Sequence, residues 1–239
     1  MAAHRLFGTS AITALTVQST LGVAATHPVA PEILAHTLAH LTADLPPAGV
    51  KIGMLATEAN VRVVADFIRK LLFGAERIPV VLDPVLRSSS GRALLDSPGL
   101  AALRRELLPL VDWVTPNLAE LSLLSESDIS PSEPEAAARK LSNLGRGLNV
   151  IVTGGDHAAS DFIYLADGHA EWLHGEKLLS PSTHGTGCAF STSLLCNLVN
   201  GVTPSEAPRR AKHYVTEAIR RATPLGSGTG PMNLLWPLQ

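Results

Sequence analysis

Two glycines and a cysteine mark the clearest candidate for chemistry in this chain, in the stretch STHGTGC that ends at Cys188. Gly185, Thr186 and Gly187 can turn several backbone N–H groups toward one point, and a helix predicted to begin there adds the positive end of its dipole. These features predict an anion hole suited to a phosphoryl group. A thiol at a helix N-terminus has a lowered pKa, so Cys188 is a candidate proton acceptor. The alternative is a small buried apolar residue after a glycine turn, which is our interpretation of Cys196.

Acidic and amide side chains follow two of the predicted strands. In the run VVLDP, Asp83 follows the predicted strand and precedes a proline. A carboxylate at the end of a strand can hold Mg²⁺ directly or through water. The alternative is an aspartate that initiates a turn. In TPNLAEL, Asn117 and Glu120 have the spacing of a capping box at the start of a helix. The same spacing places an amide and a carboxylate on one helix face, as a site for nucleotide phosphates and magnesium requires. The local sequence does not separate these interpretations, and both can hold together.

Three further positions could contact a small organic molecule. Gln18 ends an apolar predicted strand, and its amide offers one donor face and one acceptor face, which match the edge of an aminopyrimidine. In KIGML, Gly53 permits close backbone approach and Met54 supplies an adaptable apolar wall. The alternatives are a polar residue at the solvated end of a strand and ordinary core packing. The nine histidines show no metal-ligand spacing.

The elements that must position these residues alternate between strands and helices. Apolar β-branched runs predict strands at 10–18, 50–55, 78–84, 112–117 and 149–155, followed by a hairpin at 161–175. Helical spacing predicts helices at 31–45, 60–73, 99–109, from 118, and at 133–145, 186–200 and 204–222. This alternation predicts a mostly parallel sheet with helices on both faces. Ligands bind outside the carboxyl ends of the strands in such sheets, and the candidate residues, with Thr153, Gly154 and Gly155, follow strand ends.

Composition excludes several other classes of protein. The 239 residues are 46% hydrophobic and 17% charged, which is typical of a compact α/β domain and not of a disordered or fibrous chain. The net charge of −2 and the lack of a basic run argue against nucleic acid as a partner. No apolar stretch approaches the ~20 residues of a membrane span. Cys188 and Cys196 lie too far apart on one predicted helix for a disulfide, so we expect free thiols and a cytosolic protein.

Seven short blocks, taken in order, resemble the phosphomethylpyrimidine kinases of thiamine biosynthesis. The blocks are ITALTVQST, KIGML, VVLDPV, TPNLAEL, VTGGDH, THGTGCAFST and GSGTGPMN, and they span nearly the whole chain. The resemblance implies the ribokinase-like fold, a three-layer α/β/α sandwich with a mostly parallel central sheet. It also implies a homodimer that uses ATP and Mg²⁺ to phosphorylate 4-amino-5-hydroxymethyl-2-methylpyrimidine and then its monophosphate.

The resemblance also implies a role for each matching residue. The residues that would contact the pyrimidine are Gln18, Met54 and Val85. Those that would lie near the metal and the phosphates are Asp83, Asn117, Glu120, Thr153 and Gly155, with Asp83 and Glu120 as the metal ligands. The anion hole would comprise Gly185, Thr186 and Gly187. Cys188 would occupy the position of the catalytic base.

Two departures from the family pattern affect these expectations. The chain begins inside the family's first helix, so a strand of the sheet and a glycine-rich substrate loop are expected to be missing from residues 1–239. We therefore expect one kinase domain over 1–239 that is incomplete at its amino terminus, with unpaired backbone on neighbouring strands and weak activity. Thr153 stands where the family commonly has lysine, and it can donate a hydrogen bond but carries no charge.

Two other functions stay open at this stage. A pyridoxal kinase of the same superfamily shares the Gly-Thr-Gly-Cys turn, although Gln18 favours an aminopyrimidine. Hydroxyethylthiazole kinases also use this turn, but TPNLAEL and KIGML argue against them. The hypothesis from a different class is a non-catalytic pyrimidine-binding remnant, which the missing amino-terminal segment motivates.

Overall fold

The strands form two separate sheets. The structure, a computed structural model, describes residues 1–74, 77–88, 91–145, 147–154 and 159–239. Within them β1 (Ala14–Ser19) and β2 (Gly22–Pro28) pair as an antiparallel ribbon. The second sheet has six strands in chain order: β3 (Val50–Ile52), β4 (Val80–Leu82), β5 (Trp113–Val114), β6 (Asn149–Val152), β7 (Asp161–Tyr164) and β8 (Ala170–Leu173). Strands β3 to β6 run parallel, whereas β7 and β8 each run antiparallel to the preceding strand.

Helices cover both faces of the six-stranded sheet. They are α1 (Pro31–Asp44), α2 (Glu58–Leu72), α3 (Ser97–Ala102), α4 (Leu118–Ser125), α5 (Glu135–Ser142), α6 (Thr186–Val199) and α7 (Ala207–Arg220). Neighbouring residues of β4 show the two layers: Leu82 belongs to the core under α1 to α5, and Val81 to the core under α6 and α7. The predicted three-layer α/β/α fold is therefore confirmed. No helix in the described ranges is long and apolar enough to cross a membrane.

The ribbon is the main difference from the predicted elements. The sequence predicts a strand of the central sheet at 10–18, but β1 begins at Ala14 and pairs with β2, a strand that the sequence pattern does not predict. Leu15 and Val17 are exposed on this ribbon, so their apolar character does not reflect burial in the core. The tip of the ribbon is instead held by the carboxyl-terminal loop, because the Thr229 N–H donates to the Thr20 carbonyl at 2.9 Å.

Two smaller differences concern helix and sheet edges. The helix predicted at 99–109 is α3 followed by a π-helical segment, Leu103–Leu107, and a short 3₁₀ turn. Strand β3 is an edge strand of the central sheet within the described residues and pairs there with β4. The predicted incompleteness of the domain stays a prediction.

Candidate active site

Asp83 follows β4 at the carboxyl edge of the sheet and lies in a buried cluster. Its N–H donates to the Ile52 carbonyl of the neighbouring strand at 2.8 Å, which continues the parallel ladder. Its carboxylate Oδ2 lies 3.2 Å from the Lys51 ammonium and 3.1 Å from the Ser191 hydroxyl of α6. Because the side chain makes these long-range contacts, the carboxylate belongs to a site and does not serve as a local turn former.

Cys188 lies in the first turn of α6, near the Asp83 carboxylate. Although the residue is solvent accessible, protein atoms surround its sulfur, and this desolvation together with the Asp83 carboxylate raises the pKa of the thiol to about 11. The nearby Lys51 ammonium lowers that pKa, but by less. The predicted lowering of the Cys188 pKa is therefore wrong, because burial and carboxylate charge outweigh the helix dipole. Cys196 is fully buried, as interpreted.

The glycine turn before Cys188 opens the N-terminus of α6 to a ligand. Gly185 caps the helix with φ of +82°, a left-handed conformation that favours glycine. A Cβ placed on Gly185 or Gly187 would meet no atom within 4 Å, so the space before the helix is open. The first intrahelical bond runs from the Ala189 N–H to the Gly185 carbonyl, which leaves the N–H of Thr186 and of the residues just after it without a helical acceptor. This arrangement is suited to an anion, as predicted.

Asn117 and Glu120 form the capping box of α4. The Glu120 N–H donates to Asn117 Oδ1 at 2.9 Å, and the Asn117 N–H donates to Glu120 Oε2 at 2.9 Å. The Leu86 N–H also donates to Glu120 Oε1, at 3.4 Å. Desolvation, with a smaller contribution from the Asp83 carboxylate, raises the pKa of Glu120 to about 7, although the two backbone hydrogen bonds lower it. The structural interpretation is thus confirmed, and the ligand-binding role stays a proposal.

The donor set around Asp83 and Glu120 fits a magnesium ion held together with a substrate. The two carboxylates are close enough for one to disfavour the charge of the other, so a divalent cation between them would relieve that repulsion. Mg²⁺ is commonly held by one or two carboxylates, with water and phosphate oxygens as the remaining ligands. Among the described residues no group of three or more His, Cys, Asp or Glu side chains could hold a metal by itself.

The three residues predicted to contact the pyrimidine lie on adjacent elements. Gln18 is exposed on β1, and its amide nitrogen lies 3.0 Å from His184 Nε2. Met54 and Val85 are half-buried and follow β3 and β4. The Thr13 hydroxyl donates to the Met54 carbonyl and so joins the ribbon to the end of β3. A cavity of about 380 Å³ lies beside the ribbon, and it is lined by Thr16, Gln18, Ser19, Thr20, His184, Thr229 and Pro231.

The segment after β6 lies beside the capping box. The Thr153 N–H donates to the Pro116 carbonyl at 2.9 Å, which places Thr153 next to Asn117. The Gly154 N–H donates to Asp161 Oδ1 at 3.0 Å, and the Lys212 ammonium holds the other oxygen of that carboxylate at 2.8 Å. Gly155 lies outside the described residues. A groove of about 440 Å³ between α1 and α2 contains none of the predicted site residues.

Sequence reasoning missed two residues that the structure brings to the site. Lys51 interrupts an apolar strand, and a lone charge there, beside the strand that ends at Asp83, could have predicted their ion pair. His184 precedes the glycine turn and contacts Gln18, but nothing local pointed to it. The contact joins residues 166 positions apart, and only the fold brings them together.

Comparison with known proteins places this geometry in one family. A family model described as phosphomethylpyrimidine kinase matches residues 1–233. A hydroxymethylpyrimidine/phosphomethylpyrimidine kinase from Synechococcus elongatus is 38% identical over 240 residues, which cover 98% of this chain and 89% of that protein. A phosphomethylpyrimidine kinase structure from Clostridium difficile matches with a TM-score of 0.78 and 28% identity, over 91% of this chain and 89% of that one. An ADP complex of Bacillus subtilis pyridoxal kinase matches with a TM-score of 0.84 and 28% identity, over 100% of this chain and 90% of that one.

Proposed function

The chain belongs to the phosphomethylpyrimidine kinase family, and we propose that it transfers phosphoryl groups from ATP to 4-amino-5-hydroxymethyl-2-methylpyrimidine and then to the resulting monophosphate, in thiamine biosynthesis. One observation supports this most: Asp83 and Cys188 lie near each other before the open N-terminus of α6, and Ser191 of the same helix is hydrogen bonded to the Asp83 carboxylate. Phosphoryl transfer requires mainly positioning and charge neutralisation, and this edge of the sheet offers both.

The anion hole and the carboxylates would stabilise different charges in the reaction. The N–H groups of Gly185, Thr186 and Gly187 would bind the oxygens of the transferred phosphoryl group. Asp83 and Glu120 would hold Mg²⁺, which when bound supplies positive charge to the phosphate oxygens. Thr153 and Gly155, together with Asn117, would line the nucleotide phosphates.

Cys188 begins the reaction as a thiol, because its pKa is raised to about 11. We propose that it accepts the hydroxyl proton of the substrate only as its own proton passes to the nearby Asp83 carboxylate. The substrate oxygen then attacks phosphorus, and the bond to the departing ADP oxygen breaks. A weak base suffices, because the transition state of phosphoryl transfer is loose.

Substrate recognition would fall to the ribbon and to the ends of β3 and β4. Gln18 would pair with the aminopyrimidine edge, and Met54 with Val85 would contact the faces of the ring. With its amide nitrogen toward His184, Gln18 leaves its amide oxygen for the substrate or for Thr16, whose hydroxyl lies 3.3 Å from it. Pyridoxal is the second candidate, because the Bacillus subtilis match is a pyridoxal kinase.

Three further properties belong to this proposal. We propose one kinase domain over residues 1–239. We propose a homodimer that uses the ribbon, because Leu15, Val17 and Leu21 are each more than half exposed there, at 57%, 55% and 78%. The two free thiols favour a cytosolic location.

Steady-state kinetics with matched cysteine variants test the proposal. Purified protein with ATP and Mg²⁺ should show a higher kcat/KM for the pyrimidine alcohol than for pyridoxal. Cys188→Ala should lower kcat by about 10²–10⁴-fold, whereas Cys196→Ala, on the same helix but buried away from the site, should keep kcat. A preference for pyridoxal would overturn the substrate assignment, and an unchanged kcat in Cys188→Ala would overturn the role of the thiol.

A further inference from the structure

Lys51 is directed from the middle of β3 toward α6. It lies opposite Val81 of β4, which belongs to the core under α6 and α7, while the next residue along the strand, Ile52, belongs to the opposite core. Side chains alternate between the faces of a strand, so Lys51 lies on the α6 face. Its ammonium passes close to Gly53, since a Cβ added to that glycine would lie 2.9 Å from Nζ. The ammonium ends 3.2 Å from Asp83 Oδ2.

The ion pair between Lys51 and Asp83 is buried, and stability alone does not account for it. Only 15% of the lysine side chain and 8% of the aspartate side chain are exposed. The desolvation of two such charges offsets most of their attraction, and an apolar pair of similar volume often stabilises a core as well. The ammonium therefore points to a requirement of the site, where the Asp83 and Glu120 carboxylates concentrate negative charge beside Cys188.

Ser191 acts on the same carboxylate oxygen as Lys51. Its hydroxyl lies 3.1 Å from Asp83 Oδ2, and also 3.0 Å from the Gly187 carbonyl and 3.2 Å from the Cys188 carbonyl. The hydroxyl thus joins the carboxylate to the first turn of α6. Both contacts to the Asp83 carboxylate therefore fall on Oδ2.

We propose that Lys51 is a positioning residue of the phosphoryl-transfer site, which holds the Asp83 carboxylate together with Ser191 and balances the negative charge beside Cys188. This inference rests on the proposed function. Two consequences follow from the geometry. Without the ammonium, Asp83 is less well oriented, so turnover falls. The site also becomes more negative, so a divalent cation binds it more tightly.

Lys51→Met tests the inference, because methionine keeps much of the length and removes the charge. The matched control is Arg77→Met, which removes a cation 2.6 Å from Asp112 at the opposite, amino-terminal end of the strands. For Lys51→Met we expect kcat to fall about tenfold or more and KM for the pyrimidine to change less than about threefold. The melting temperature should fall as well, because Asp83 loses its buried partner. Lys51→Arg should have a kcat between those of Lys51→Met and wild type, because it keeps the positive charge but has a different geometry.

The second readout is Mn²⁺ binding, followed by the electron paramagnetic resonance of free Mn²⁺ without nucleotide. Lys51→Met should bind Mn²⁺ several-fold more tightly than wild type, and Arg77→Met should bind as wild type does. A structural lesion would instead weaken Mn²⁺ binding, and that result, or a fully unfolded Lys51→Met, would overturn the inference. Unchanged kcat would also overturn it. If wild type phosphorylates no pyrimidine, the proposed function fails, and Mn²⁺ binding alone decides the role of Lys51.

Discussion

At the scale of single residues, the protonation of Cys188 is the point at which the site differs most from a typical reactive cysteine. A thiol at a helix N-terminus usually loses its proton easily. Here the sulfur is desolvated and faces Asp83, so its pKa rises to about 11. The sequence could place this cysteine beside the glycine turn. It could not show that Asp83, which follows β4, lies near the sulfur.

Alkylation of Cys188 by iodoacetamide should therefore be slow at neutral pH. With a pKa of about 11, only about one thiol in a thousand is ionised at pH 8. The rate of alkylation should therefore rise steadily as the pH approaches 11. Asp83→Asn should accelerate alkylation at pH 8, because it removes a carboxylate that raises the pKa. Mass spectrometry of wild type and Cys188→Ala separates this signal from that of buried Cys196. An apparent pKa at or below 9.0, the ordinary value, would contradict this account.

Glu120 should make the free energy of unfolding depend on pH. Its pKa is about 7 in the folded protein and 4.5 ordinarily, so folding favours the protonated carboxyl. That stabilisation is fully present below pH 4.5 and is lost as the pH rises through 7. Relative to Glu120→Gln, which keeps the capping box, wild type should lose on the order of 3 kcal/mol between pH 4.5 and pH 8.

Urea denaturation of both proteins at pH 5 and pH 8 measures this difference, with Glu133→Gln as the control for an exposed glutamate. A pH-independent difference between wild type and Glu120→Gln would show that the Glu120 carboxyl ionises in the folded protein as it does in the unfolded chain.

At the scale of elements, the ribbon of β1 and β2 is the part that depends most on close backbone approach. A Cβ on Gly228 would lie 2.1 Å from the Thr20 carbonyl oxygen, so only glycine lets the carboxyl-terminal loop contact the ribbon tip. The same loop brings Thr229 and Pro231 to the cavity beside Gln18. The ribbon thus carries Gln18 to the site although it does not join the central sheet.

Gly228→Ala should displace the ribbon tip and raise KM for the pyrimidine about tenfold, because Gln18 would no longer be held against His184. The control is Gly168→Ala in the turn between β7 and β8, where φ is +90° and the space for a Cβ is open. It should lower the melting temperature through backbone strain and leave KM unchanged. Steady-state kinetics and thermal melts of both variants measure these effects, and equal KM values would remove the ribbon from substrate binding.

At the scale of the whole molecule, the alternation of strands and helices was sufficient to predict the fold and the edge that carries the site. Asp83, Asn117 and Thr153 each follow a strand of the sheet, as the pattern requires. The pattern could not show that β1 leaves the sheet, because Leu15 and Val17 are as apolar as core residues yet lie exposed on a ribbon. The lone charge of Lys51 in an apolar strand was a signal of a charged partner, although the distance to Asp83 depends on the register of β3 and β4.

The central claim is that one site performs two successive phosphoryl transfers to the same pyrimidine. A ³¹P NMR time course with purified protein, ATP, Mg²⁺ and the pyrimidine alcohol tests it most directly, with Cys188→Ala measured in parallel. We predict that a monophosphate resonance rises and then gives way to a diphosphate as ADP accumulates, and that the first step slows in Cys188→Ala. ADP release without a pyrimidine phosphate, or phosphorylation of pyridoxal in preference to the pyrimidine, would contradict it.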